Sequence, residues 1–193
     1  INGLFWFDFP LVILLSFLFH NIVRDSLIDN LPLFLKSRFI VFKGLNWNIY
    51  FKKNWFVVMV SILIGAFSHL FWDSFTHDSG YFVESIPLLT KDIFFFEKQI
   101  PILKILQHSS TFIGAIIIAF AVNKLPKNKV TPNRINSKYW IILIALSIII
   151  VSIKLIAGLN IKQYGNLIVT MISAILISLT LTPILVKNNF QNK

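Results

Sequence analysis

Five long apolar runs alternate with polar connections along the chain, at residues 4–23, 55–72, 106–123, 139–157 and 164–186. At about 1.5 Å per residue, helices of roughly 18 to 23 residues cross a hydrocarbon core of about 30 Å. A backbone in lipid has no water to bond, so each run is predicted to be a helix that satisfies its own peptide groups. The pattern predicts an all-α, polytopic integral membrane helical bundle, with residues 1–193 forming a single membrane domain. Trp6, Trp55, Trp72 and Trp140 stand near run ends, where amphipathic rings favour the interface.

Polar residues inside or beside the runs are few, so their spacing matters. In the second run Ser61, Gly65, His69, Asp73 and His77 recur every four residues, which on a helix makes one ridge drifting by about 40° per step. Ser61 and Gly65 are expected to admit a neighbouring helix closely. An imidazole and a carboxylate one turn apart can hold a divalent ion with positions left open for water, which makes His69 and Asp73 metal-ligand candidates. On the third run His108 heads a stripe of Thr111, Ala115 and Ala119, predicted to pack against the second run and bring His108 to the same ion. Asp8 opens the first run and is a further ligand candidate, although an Asp just before Pro10 also suits a helix start.

Other positions read as structural. His20 ends the first run on the side opposite His69, and Lys154 is expected to snorkel to the surface. Ser and Thr residues of the last run are expected to bond carbonyls of the preceding turn and to serve packing. Between the runs, Leu27 to Leu35 suggests a short amphipathic piece broken at Pro32. The connection 73–107 is too long and too apolar for an idle loop.

Composition fits this picture: 56% of residues are hydrophobic, 20 are Phe, and mean hydropathy is +0.75. No Cys is present, which excludes disulfides and thiolate metal sites. The formal charge of +10 is spread between the runs and forms no basic patch interleaved with aromatics, so the expected partner is membrane lipid and not nucleic acid. Six basic against two acidic residues give 24–54 a net +4, and five basic residues without an acid give 124–138 a net +5. Three basic against five acidic residues give 73–107 a net −2. The positive-inside rule then places 24–54 and 124–138 in the cytoplasm, and 73–107, with His69, Asp73, His108 and Asp8, on the external side. The first run begins almost at Ile1 with no basic leader before it, which predicts an upstream segment and one more crossing.

The run from Gly65 to Gly80, the opening Gly3-Leu-Phe-Trp-Phe-Asp8-Phe-Pro10 with His20 following, Ile86-Pro87-Leu88-Leu89 and Leu106-Gln107-His108-Ser109 occur in this order over roughly the first 120 residues. Together they resemble the bacterial membrane family catalogued as domain-of-unknown-function family 4184. The pattern of His69, Asp73 and Thr76 is also similar to that of membrane-bound metal-dependent hydrolases. More distantly, His69, Asp73 and the further His77 resemble zinc-dependent phospholipase C and related nucleases. The resemblance implies a hydrolase of the bacterial inner membrane using a divalent metal, zinc by preference, on a phosphoester or similar ester at the external surface. His69, Asp73 and His108 would be ligands, and His77 or Asp78 the general base. The competing expectation is a non-enzymatic membrane protein that binds lipid or a partner, with the His/Asp cluster fastening helices. A transporter is disfavoured, since no pair of Gly/Pro-interrupted runs appears.

Overall fold

The computed structural model describes residues 6, 9–95, 98–130, 135–160 and 163–188. Five helices are long and apolar enough to cross a membrane, at Phe9–Asn30, Trp47–Ser85, Ile102–Lys124, Ser137–Ile156 and Tyr164–Val186. They fall on the five apolar runs. The described chain is otherwise short helices and one two-stranded hairpin. It divides into two compact units, one of residues 1–12 and 51–126 and the other of residues 13–50 and 127–193.

The first span consists of α1 (Phe9–Leu18), a π turn at Phe19–Val23 and α2 (Arg24–Asn30) in unbroken sequence. It outlasts the apolar run because Arg24 satisfies its charge locally, giving Nε–H to Asp25 Oδ1 at 2.7 Å and Nη2–H to the Leu45 carbonyl at 2.8 Å. Leu31 turns extended ahead of Pro32, as a residue before proline prefers, and α3 (Leu33–Phe39) starts at the next residue. The expected amphipathic piece is therefore two helices with its break at Pro32. A 3-10 turn at Ile40–Phe42 leads to Gly44, whose φ of +77° reverses the chain into α4 (Trp47–Thr76). The hairpin of α2 and α3 is tied by its own charges: Lys43 Nζ reaches Asp29 at 2.6 Å, and buried Lys36 donates to the Asp29 carbonyl at 3.0 Å.

In the same unit, α7 (Ser137–Ile156) and α8 (Tyr164–Asn188) pack along their length after a turn at Gly158, φ +99°. The buried stripe of α8 is Ala174, Ser178 and Thr182, four residues apart and each fully inaccessible. Small side chains on one ridge let another helix approach closely. The hydroxyls of Thr170, Thr180 and Thr182 donate to carbonyls four residues back, as their sequence pattern predicted. Asn30 joins the span end to α7: its Oδ1 accepts from the Asn136 N–H and its carbonyl from Trp140 Nε1–H at 3.0 Å.

The other unit holds most of α4, which departs from helical angles at Asn54, one residue before the apolar run begins. After α4 the chain folds back through α5 (Tyr81–Ser85), a 3-10 turn at Pro87–Thr90 and an antiparallel hairpin, β1 (Asp92–Phe95) with β2 (Lys98–Pro101), into α6 (Ile102–Lys124). Val83, Leu89 and Leu103 form a small core under this connection, joined by Phe75, Ile102 and Leu106. The rings of Phe75 and Phe82 stack at 4.1 Å. The connection 73–107 is thus a folded cap on the ends of α4 and α6.

Candidate functional site

The last two turns of α4 carry His69 and Asp73 on one ridge, and His77 follows at the first residue beyond the helix. The His77 N–H still bonds the Asp73 carbonyl at 2.9 Å, so the ridge continues through it. His69 Nε2 lies 3.3 Å from Asp73 Oδ2, and His77 Nε2 lies 3.7 Å from Asp73 Oδ1. One carboxylate is therefore flanked by two imidazoles, one on each oxygen. The His69 and His77 side chains are 75% and 55% exposed and Asp73 is 31% exposed, so the group opens outward.

Its backing is firm. Thr76, between Asp73 and His77, is buried and donates to the Trp72 carbonyl at 3.3 Å. Trp72 Nε1–H donates to Ser110 Oγ at 3.1 Å, which ties the ridge to α6. Asp78 sits 3.5 Å from Lys104 Nζ, a second link to the start of α6. Gly80 turns the chain immediately below, its N–H bonding the His77 carbonyl at 2.8 Å. A Cβ there would run into the Ser74 carbonyl and lie 2.9 Å from the His77 oxygen.

The structure thus brings His69, Asp73 and His77 together. His108 is exposed on α6, two residues and about 200° of helix from the Ser110 that Trp72 bonds. Among the described residues no three His, Cys, Asp or Glu side chains are grouped closely enough to hold an ion. Asp8 lies outside the described residues. Lower on the ridge, Ser61 turns its hydroxyl to the Val57 carbonyl, and a Cβ on Gly65 would meet no atom within 4 Å. The close helix neighbour expected at Gly65 is not found there among the described residues.

By donor type, the His69 imidazole and the Asp73 carboxylate, four residues apart, suit two positions of a divalent metal such as zinc. Thr76 was noted beside His69 and Asp73, but Ser110 and Lys104 were not foreseen as supports. Trp72 was read as an interfacial ring, and no local pattern in the sequence pairs it with a serine 38 residues away.

A predominantly helical chain with five membrane-length apolar helices and an ionisable cluster at the end of one of them defines a polytopic membrane protein. The family model described as "Domain of unknown function (DUF4184)" matches residues 1–184, and the chain belongs to that family. No curated protein and no solved structure matches it.

Proposed function

We propose that this protein is a membrane-embedded, metal-dependent hydrolase acting on a phosphoester or similar ester at the external membrane surface. The observation that carries the reading is the single Asp73 carboxylate shared by His69 and His77 at an open span end. Ionisable groups are costly near hydrocarbon and seldom kept there without use. His69 and Asp73 would hold a zinc ion, which supplies Lewis acidity and a more acidic bound water. His77, 3.7 Å from the other oxygen of the carboxylate, would accept a proton, with Asp73 steadying the resulting imidazolium. Asp78 is the weaker base candidate, because Lys104 already faces its carboxylate.

A second reading has its own support. Among the described residues no third donor joins the group, His108 being exposed elsewhere on α6, and this supports a non-enzymatic membrane protein whose cluster orients the cap. Zinc itself separates the two. The full chain, purified in detergent, stripped with chelator and titrated with zinc, is expected to bind about one ion per chain. Asp73→Asn, which removes one of the two proposed ligands, is expected to weaken zinc binding strongly and to abolish zinc-dependent cleavage of bis(p-nitrophenyl) phosphate. A wild-type chain that takes up no zinc and cleaves no ester overturns the hydrolase reading.

A further inference from the structure

Between residues 31 and 42 every exposed position is apolar: Pro32, Leu33, Phe34, Val41 and Phe42. Phe34 and Val41 stand 53% and 60% exposed. The cations of the same stretch are withdrawn, Lys36 and Arg38 being at most 5% exposed, as is Arg24 of the preceding span. Each is engaged inside. Lys36 Nζ donates to the Asp29 carbonyl at 3.0 Å and lies 3.8 Å from its carboxylate. Arg38 Nη1 donates to the Phe34 carbonyl at 2.9 Å, with its guanidinium 4.1 Å over the Phe34 ring. Arg24 is held by Asp25.

A helix lying on a membrane surface does the reverse, turning its charges to water and only its apolar side to the acyl chains. In water the observed arrangement is unfavourable twice over, because it hides cations that hydrate well and exposes large apolar groups. In hydrocarbon it is what stability requires: ionisable groups turn inward and pair with carboxylates or backbone carbonyls, and apolar side chains face out.

The place of the stretch agrees. Its far end returns to the first span, where the Leu45 carbonyl accepts from Arg24 Nη2–H at 2.8 Å and Trp47 stacks on His20 at 4.0 Å. α3 and its turn are thus held against a helix of membrane length, whose own Leu14 and Phe19 are exposed to lipid. Exposed polar side chains resume only at Lys43, Asn46 and Asn48, which supply the edge that meets water.

We propose that residues 31–42 are sunk into the lipid leaflet at that end of the first span, with Leu33, Phe34, Val41 and Phe42 against acyl chains. The connection between the first two spans is then in part a membrane-immersed element and not a loop in water. This is independent of His69, Asp73 and His77 and stands whether or not the protein hydrolyses anything.

The chain has no Cys, so a single introduced cysteine reports on one position. The test uses the full chain in phosphatidylcholine nanodiscs, open to solvent on both faces, with the fluorophore NBD on Val41→Cys. Ile148→Cys, exposed on α7, gives the lipid reference, and Lys129→Cys, exposed in the basic connection, gives the aqueous one. Quenching of Val41→Cys by doxyl-labelled phosphatidylcholine is expected within about twofold of Ile148→Cys, and quenching by iodide about fivefold below Lys129→Cys. Should Val41→Cys fail to fold, Leu33→Cys takes its place. Iodide quenching equal to that of Lys129→Cys, without quenching by the lipid, would put the stretch in water and overturn the proposal. Resistance to both quenchers would overturn it too, by assigning the face to a second copy or another protein.

Discussion

Gly80 and Asp73 illustrate how differently single residues declare themselves. Asp73 was marked by residue type and by its fourfold spacing from His69 and His77, and the structure places all three in contact range. Gly80 is as tightly constrained, yet its φ is −76° and nothing about its backbone angles demands glycine. What demands it is contact, since the Ser74 and His77 carbonyls occupy the space of a Cβ. Gly80→Ala is expected to destabilise the cap by about 1–3 kcal/mol, as overpacking of a fixed backbone does. Its melting midpoint in detergent should fall, whereas Gly165→Ala, where a Cβ meets nothing within 4 Å, should leave it nearly unchanged. A midpoint that does not move for Gly80→Ala would mean that the turn relaxes freely. His108 was the least legible site candidate. Its stripe of small residues fixed a face of α6 but not which face meets α4, and that depends on a Trp72–Ser110 bond with no local signature.

At the scale of elements, the spans were legible because hydropathy and length suffice to define them, but their ends were not. The first apolar run stops at Val23 while the helix continues to Asn30, since Arg24 and Asp25 neutralise each other within it. Hydropathy reports where hydrocarbon contact ends, whereas the backbone ladder ends at a proline. The β1–β2 hairpin escaped notice because strands of four residues are too short to display a period of two. Of the Ser and Thr of α8, Thr170, Thr180 and Thr182 bond the preceding turn and Ser178 and Thr182 are buried in packing, whereas Ser173 is exposed and the buried Ser178 hydroxyl finds no carbonyl. Ser178, inaccessible on the ridge between Ala174 and Thr182, has no room for a larger side chain. Ser178→Leu is expected to cost about 1–3 kcal/mol and to loosen α8 from α7, read as faster hydrogen exchange in α8. Ile177→Leu, on an exposed position next door, serves as control. Unchanged exchange in Ser178→Leu would show that the helix pair is held elsewhere.

For the molecule as a whole, orientation in the membrane follows from charge, and one helix is enough to test it. α6 has 23 residues, about 34 Å of helix, and is therefore long enough to cross the hydrocarbon once. Before it lies the connection 73–107 with net −2; after it lies 124–138 with net +5. Translocating five cations against the membrane potential is far costlier than translocating a slightly acidic cap, so the cap is expected outside and the basic connection inside. Ser85 and Lys129 are exposed positions on either side of α6, and the chain has no native Cys to confuse labelling. In intact cells Ser85→Cys should react with a membrane-impermeant maleimide, while Lys129→Cys should react only after permeabilisation. Reversed labelling would place His69, Asp73 and His77 on the cytoplasmic side, and a hydrolase built on them would then need a substrate in the inner leaflet. Labelling of both positions from outside would remove α6 from the membrane and with it the five-span topology.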